Sequence, residues 1–172
     1  MEIPKANQAD NFKAPWGTLL IVISGLATFA LVGIPLLSII FDIAGNASEP
    51  KIIFAIPLLI LVGAIPFLIR GYIISGNSLI VQRIFWNNVL ELSDLVSIDV
   101  NPEAMSKSIR TFGNGGLFSF SGKYRNKALG PYRAFATKIE NSVVLKFPDK
   151  TVVVTPDNPQ LFVERIKSIQ SA

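Results

Sequence analysis

Residues Arg110–Lys138 read RTFGNGGLFSFSGKYRNKALGPYRAFATK. Basic residues, glycines and aromatics are interleaved here, and no acid interrupts them. Two phosphate-cradle motifs come close and fail. Gly116 and Gly122-Lys123 have five residues between the glycines where a P-loop takes four, and Tyr124 stands where that loop needs Ser or Thr. Gly113 and Gly115 fit the first two glycines of a dinucleotide fingerprint, but Phe118 occupies the place of the third. The stretch therefore reads as structure first. Its glycines supply turns and close backbone approach. Phe112, Leu117, Phe118 and Phe120 are expected to pack inward, and its cations to face out.

On either side of this stretch the chain reads as short strands. Tyr72–Ser75 is rich in β-formers, Gly76-Asn77 signals a turn, and Ser78–Phe85 resumes. Trp86-Asn87-Asn88 breaks the pattern before Val89–Leu92. Val96, Ile98 and Val100 alternate with Ser97 and Asp99, the period of a half-buried strand. Asn101-Pro102-Glu103 predicts a helical turn or two, to about Ile109. Tyr132–Ile139, Ser142–Phe147 and Thr151–Thr155 read as further strands. Asn158-Pro159 then caps and starts a helix, with Phe162, Ile166 and Ile169 on one stripe. The expectation is a mostly β, α+β domain: a bent barrel of about seven strands whose open end the terminal helix covers.

The amino-terminal part differs. Trp16–Phe41 carries no charge, and Ile52–Ile69 has neither charge nor hydroxyl. At ~1.5 Å per residue these runs span roughly 39 and 27 Å, comparable to a hydrocarbon core about 30 Å thick. Neither has the polar stripe of a soluble amphipathic helix. The first exceeds the ~7–15 residues of a signal-peptide core. The expected organisation is a tail 1–15, transmembrane helices 16–41 and 52–70 joined by a short external loop 42–51, and a soluble domain 71–172. Lys5 and Lys13 precede the first run, only Lys51 lies between the runs, and Arg70 and Arg83 follow the second. That bias places both termini in the cytoplasm of a multi-pass inner-membrane protein.

Segment Tyr72–Ile169 resembles the bacterial pleckstrin-homology-like (PH-like) domains. The resemblance rests on IRTFGNGGLFSFSGKYRNKALGPYRAFAT, on the short strands with LSDL before it, and on the closing VVVTPDNPQLFVERIK. It implies a PH-like barrel with a carboxy-terminal capping helix, and little by way of catalysis. The basic first hairpin of phosphoinositide-binding relatives has no counterpart, since Gly76-Asn77 is uncharged with only Arg83 further along.

Residue chemistry points the same way. The chain has no histidine and no cysteine. That removes the commonest general base, thiol nucleophiles and most zinc or redox sites, so no enzyme activity, cofactor or metal is expected. Asp94/Asp99 and Asp149/Asp157 are the candidate carboxylate pairs, and they fall at turns or strand edges. Seven cations and no acid lie between Ala104 and Ile139. Arg110, Lys123, Arg125, Lys127 and Arg133 are the candidate face for an anion or lipid headgroup. No nucleic-acid motif accompanies them. The expected function is a membrane-anchored binding or scaffolding module, partnered by a protein or by a second copy of itself. The alternative is a sensor of anionic headgroups or small anions.

Overall fold

The computed structural model describes residues 10–40 and 52–171. The start of the tail, the link 42–51 and Ala172 lie outside the described residues.

Among the described residues ten strands form two sheets instead of about seven in one barrel. Strands β1 (Asp10–Lys13), β2 (Ile69–Ser75), β3 (Ser78–Arg83) and β4 (Asn87–Glu91) follow one another in an antiparallel sheet. The second sheet contains β5 (Ser97–Asn101), β6 (Ile109–Gly115), β7 (Phe120–Asn126), β8 (Gly130–Ala136), β9 (Ser142–Lys146) and β10 (Thr151–Val154). Its spatial order is β5-β9-β10-β8-β7-β6; only the β10–β8 pair is parallel.

The strand β1 corrects the expected free tail. Phe12 is its one large apolar residue, and it is buried against the edge of Phe162, with ring centroids 5.0 Å apart. Burying one such ring is worth roughly 2 kcal/mol, and it acts together with the β1–β2 pairing and the Asp10–Arg165 ion pair to hold a four-residue strand that the sequence hardly signals. The turn Pro102–Lys107 corrects the expected short helix. Asn101 Oδ1 accepts from Glu103 N, and the Ala104 and Ser106 amides bond back to the Asn101 and Glu103 carbonyls. These three-residue turns never propagate, and Lys107 ends them at φ +51°.

The core lies on both faces of the second sheet. On one face Phe135, Val143, Leu145, Val152 and Val154 meet Tyr72, Ile74, Leu79 and Val81 of the first sheet. The terminal helix α4 (Pro159–Gln170) closes this core and inserts Phe162, Val163 and Ile166 there. Asn158 caps it through Leu161 N at 3.1 Å, as its sequence predicts. On the other face Phe120, Tyr124, Tyr132, Ala134, Val144 and Val153 cluster with Ala104, Met105 and Leu20.

Before the first sheet closes, the chain makes its apolar excursion. Helix α1 (Thr18–Thr28) runs into a π-helical turn, Phe29–Gly33, and then α2 (Ile34–Ile40). Proline brings no amide hydrogen and crowds the carbonyl four residues back, so Pro35 explains the widened turn just before it. The segment Thr18–Leu37 is long and apolar enough to cross a membrane, with a mean hydropathy of 2.4 and only 11% of its window buried. The second run corrects the expected helix 52–70. Its α-helix, α3, is Ile52–Ala64; a 3-10 turn, Ile65–Phe67, follows, and Ile69 already belongs to β2. Pro66 supplies no amide hydrogen and biases Ile65 away from α geometry. At roughly 26 Å, helix and turn together are shorter than the first segment.

Candidate binding face and helix junction

The segment that leads into α1 is welded to the second sheet. Thr137 donates its hydroxyl to Pro15 O at 2.8 Å, and Gly17 N donates to Thr137 O at 2.9 Å. Leu20 is fully buried. Ser24, also buried, donates to Gly116 O and accepts from Phe118 N, both at 3.0 Å. Thr137, Ser119 and Gly116 form one row across the ends of β8, β7 and β6, since Gly116 N bonds Ser119 O and Phe120 pairs with Ala136. Seven helical residues cover about 10 Å, the width of two strand spacings. Helix α1 therefore crosses the strand ends from β8 to β6 and leaves the domain past the β6 edge.

The return is equally fixed. Phe67 O, at the end of the second apolar segment, accepts from Ser119 Oγ at 2.8 Å and from Arg83 Nη1 at 2.9 Å. Arg83 is only 7% exposed, yet no carboxylate bonds it among the described residues. Its other partners are Asn88 Oδ1 at 2.9 Å and Ser121 Oγ at 2.5 Å. The rings of Phe135, Phe67 and Trp86 surround its guanidinium at 5.5, 5.7 and 5.8 Å. Burial, and then the nearby charge of Arg133, lower its pKa. Carbonyl and hydroxyl dipoles and π faces thus replace a counter-ion. From sequence Arg83 counts only as a topology charge, and Ser24 has no assigned role. A lone Arg ending a strand and a lone Ser in an apolar run carry no signal of a tertiary partner.

The five candidate cations do not form one cluster. Lys123 pairs with Arg133 across β7–β8, and Arg125 lies two residues from Lys123, so these three share a face. A bulge at Thr111 shifts the β6 register, so that Ile109 pairs with Arg125 and Phe112 with Lys123. Ile109 and Phe112 therefore join that face, at 72% and 75% exposure. This corrects the expectation that Phe112 packs inward; Phe120 is buried, and Leu117 and Phe118 are half-buried. Arg110 pairs with Tyr124, which places it on the opposite face. There it lines a cleft of about 640 Å³ with Leu19, Met105, Tyr124 and Glu140. Lys127 sits in the β7–β8 turn. It lines a second cleft, of about 920 Å³, with Lys107, Ile109 and Arg125 around Glu103.

Two glycines make this hairpin. Gly113 (φ +106°) faces Gly122 (φ +146°) across β6–β7. A Cβ on Gly122 would lie 2.2 Å from Phe112 O, and one on Gly113 would lie 2.4 Å from Ser121 O. Only glycine permits that approach. Tyr124 donates to Asn114 O at 2.7 Å and closes the loop above.

Residues 70–170, more than half of the chain, match the family model described as Bacterial PH domain. No curated protein and no solved structure is matched by the chain.

Proposed function

The chain belongs to the bacterial PH domain family, and from that premise we propose that it is a non-enzymatic binding or scaffolding module anchored in a prokaryotic inner membrane. One observation carries the anchoring: an apolar excursion leaves the domain at Ser24 and returns to it at Phe67. Both ends are bonded to the same end of one sheet. That arrangement supports a hairpin that crosses twice. The large apolar side chains Leu26, Phe29, Ile34 and Leu36, and Leu58, Leu59 and Val62 on the return, are exposed. Lipid would cover them at no cost. Both ends then lie on one side, and the Lys and Arg residues that flank the segments favour the cytoplasmic one, with the PH-like domain on the inner face.

Alkaline extraction of membranes that contain the full chain tests the anchor. Retention in the lipid pellet supports it, and release into the wash defeats it. Pull-down of the intact protein tests scaffolding. Stoichiometric recovery of a partner or of a second copy is expected.

The second reading is an anion sensor acting through the basic stretch. It is favoured by the cleft where Lys107, Arg125 and Lys127 outnumber Glu103, a volume suited to a small ligand. Titration calorimetry with inorganic polyphosphate tests it, because a heat lost in Arg125→Ser separates the cleft from diffuse attraction.

A further inference from the structure

The β3–β4 turn is a second apolar feature at the helix junction. Ile84, Phe85 and Trp86 are all exposed, Phe85 at 71%. A soluble turn gains nothing from three consecutive large apolar side chains. Trp86 packs edge-on against Phe67, with centroids 5.6 Å apart, where the returning segment reaches the domain. Ile109 and Phe112 stand on β6, past which α1 departs. Trp86 thus flanks the point of re-entry, and Ile109 and Phe112 lie along the edge strand past which α1 departs. The cations Lys123, Arg125 and Arg133 share the Ile109/Phe112 face.

We propose that the domain lies on the bilayer that anchors it, with Phe85, Trp86, Ile109 and Phe112 entering the interfacial layer of an anionic leaflet. Apolar and aromatic side chains ringed by cations are what such a layer accepts, because it offers hydrocarbon below and negative headgroups above. The inference rests on the anchor reading, since the bilayer is placed by the course of α1. A peptide strand added to the β6 edge is a poorer occupant. The Thr111 bulge and the positive-φ Gly113 interrupt the regular ladder that strand addition needs.

The chain contains no cysteine and two tryptophans, so both contacts can be labelled singly. Full-length Trp16→Phe leaves Trp86 as the sole tryptophan. Full-length Phe112→Cys carries an environment-sensitive fluorophore. Each is reconstituted in vesicles of phosphatidylcholine, alone or mixed with phosphatidylglycerol. In the mixed vesicles, lipids brominated near the headgroup should quench Trp86 severalfold, and the label at 112 should brighten severalfold. Lys123→Glu/Arg125→Glu should reverse the brightening, as should high salt. An aqueous Trp86 and label in a protein that resists alkaline extraction overturn the proposal and leave the anchor standing. Release by alkali removes the anchor first. Brightening that requires an added acidic protein rather than the anionic lipid also overturns it, in favour of a partner surface.

Discussion

Ser24→Ala isolates the claim that the first turns of α1 are part of the folded domain. The Ser24 hydroxyl makes two buried or half-buried bonds at 3.0 Å, to Gly116 O and from Phe118 N. Alanine keeps the helix and fits the apolar run. It removes both bonds and leaves a carbonyl and an amide of the β6–β7 loop without that partner. A typical hydrogen bond contributes ~1 kcal/mol net, and stranding a buried polar group costs ~1–3 kcal/mol. The worked expectation is a loss of about 2–4 kcal/mol, kept below the full sum because the loop can relax. The assay is urea unfolding of the full chain in mild detergent, followed by tryptophan fluorescence, since Trp16 packs 6.1 Å from Phe118. The midpoint should fall with the slope unchanged. Ser168→Ala, on the exposed side of α4, is the control and should stay within ~0.5 kcal/mol of wild type. A Ser24→Ala midpoint equal to that control would mean that α1 is an appendage and not part of the folded domain.

Gly122→Ala should destabilise by roughly 2–4 kcal/mol, since its Cβ would press on Phe112 O from a left-handed backbone. Gly25→Ala, with open space around its Cβ, should be neutral or stabilise by up to ~1 kcal/mol; chemical denaturation of the pair checks the contrast. The chain has three tyrosines, and burial raises the pKa of all three, Tyr72 and Tyr124 to about 12. A raised phenol adds stability that is complete below pH ~10 and lost as pH climbs through the folded value. Ultraviolet titration should therefore show tyrosinate forming late and together with unfolding, and Tyr72→Phe should flatten the alkaline decline; ordinary titration near pH 10 in a folded chain would contradict this. Asn158→Ala removes the α4 cap at Leu161 N and should lower stability by ~1 kcal/mol in thermal unfolding.

The sequence made the strand-rich domain, the capped terminal helix and the first apolar segment legible, because each has a local signature. Alternation marks β5, Asn158-Pro159 marks the start of α4, and an uncharged run marks α1. Features set by tertiary partners were not legible. The single Phe12 has no periodicity, yet a ring on α4 makes it a strand residue. The bulge at Thr111 brings Ile109 and Phe112, three residues apart, onto one face, which defeats a period-2 reading. The same register sends Arg110 away from Lys123, Arg125 and Arg133, so a run of cations that looks continuous divides between two faces. The second apolar run gives way early because Pro66 and the β2–β3 pairing from Ile69 claim its last residues. A piece beginning at residue 71 would lack β1, Leu20 and the Ser24 bonds, so the binding tests use the full chain.

In the proposed hairpin anchor the link between the apolar segments lies outside and the domain lies on the inner face. Single cysteines at Ser48, between the two apolar segments, and at Lys150, in the β9–β10 turn, test it in intact cells with a membrane-impermeant maleimide. Ser48→Cys should label from outside, and Lys150→Cys should label only after permeabilisation. Protection of both positions in intact cells, or labelling of both, would contradict the hairpin anchor.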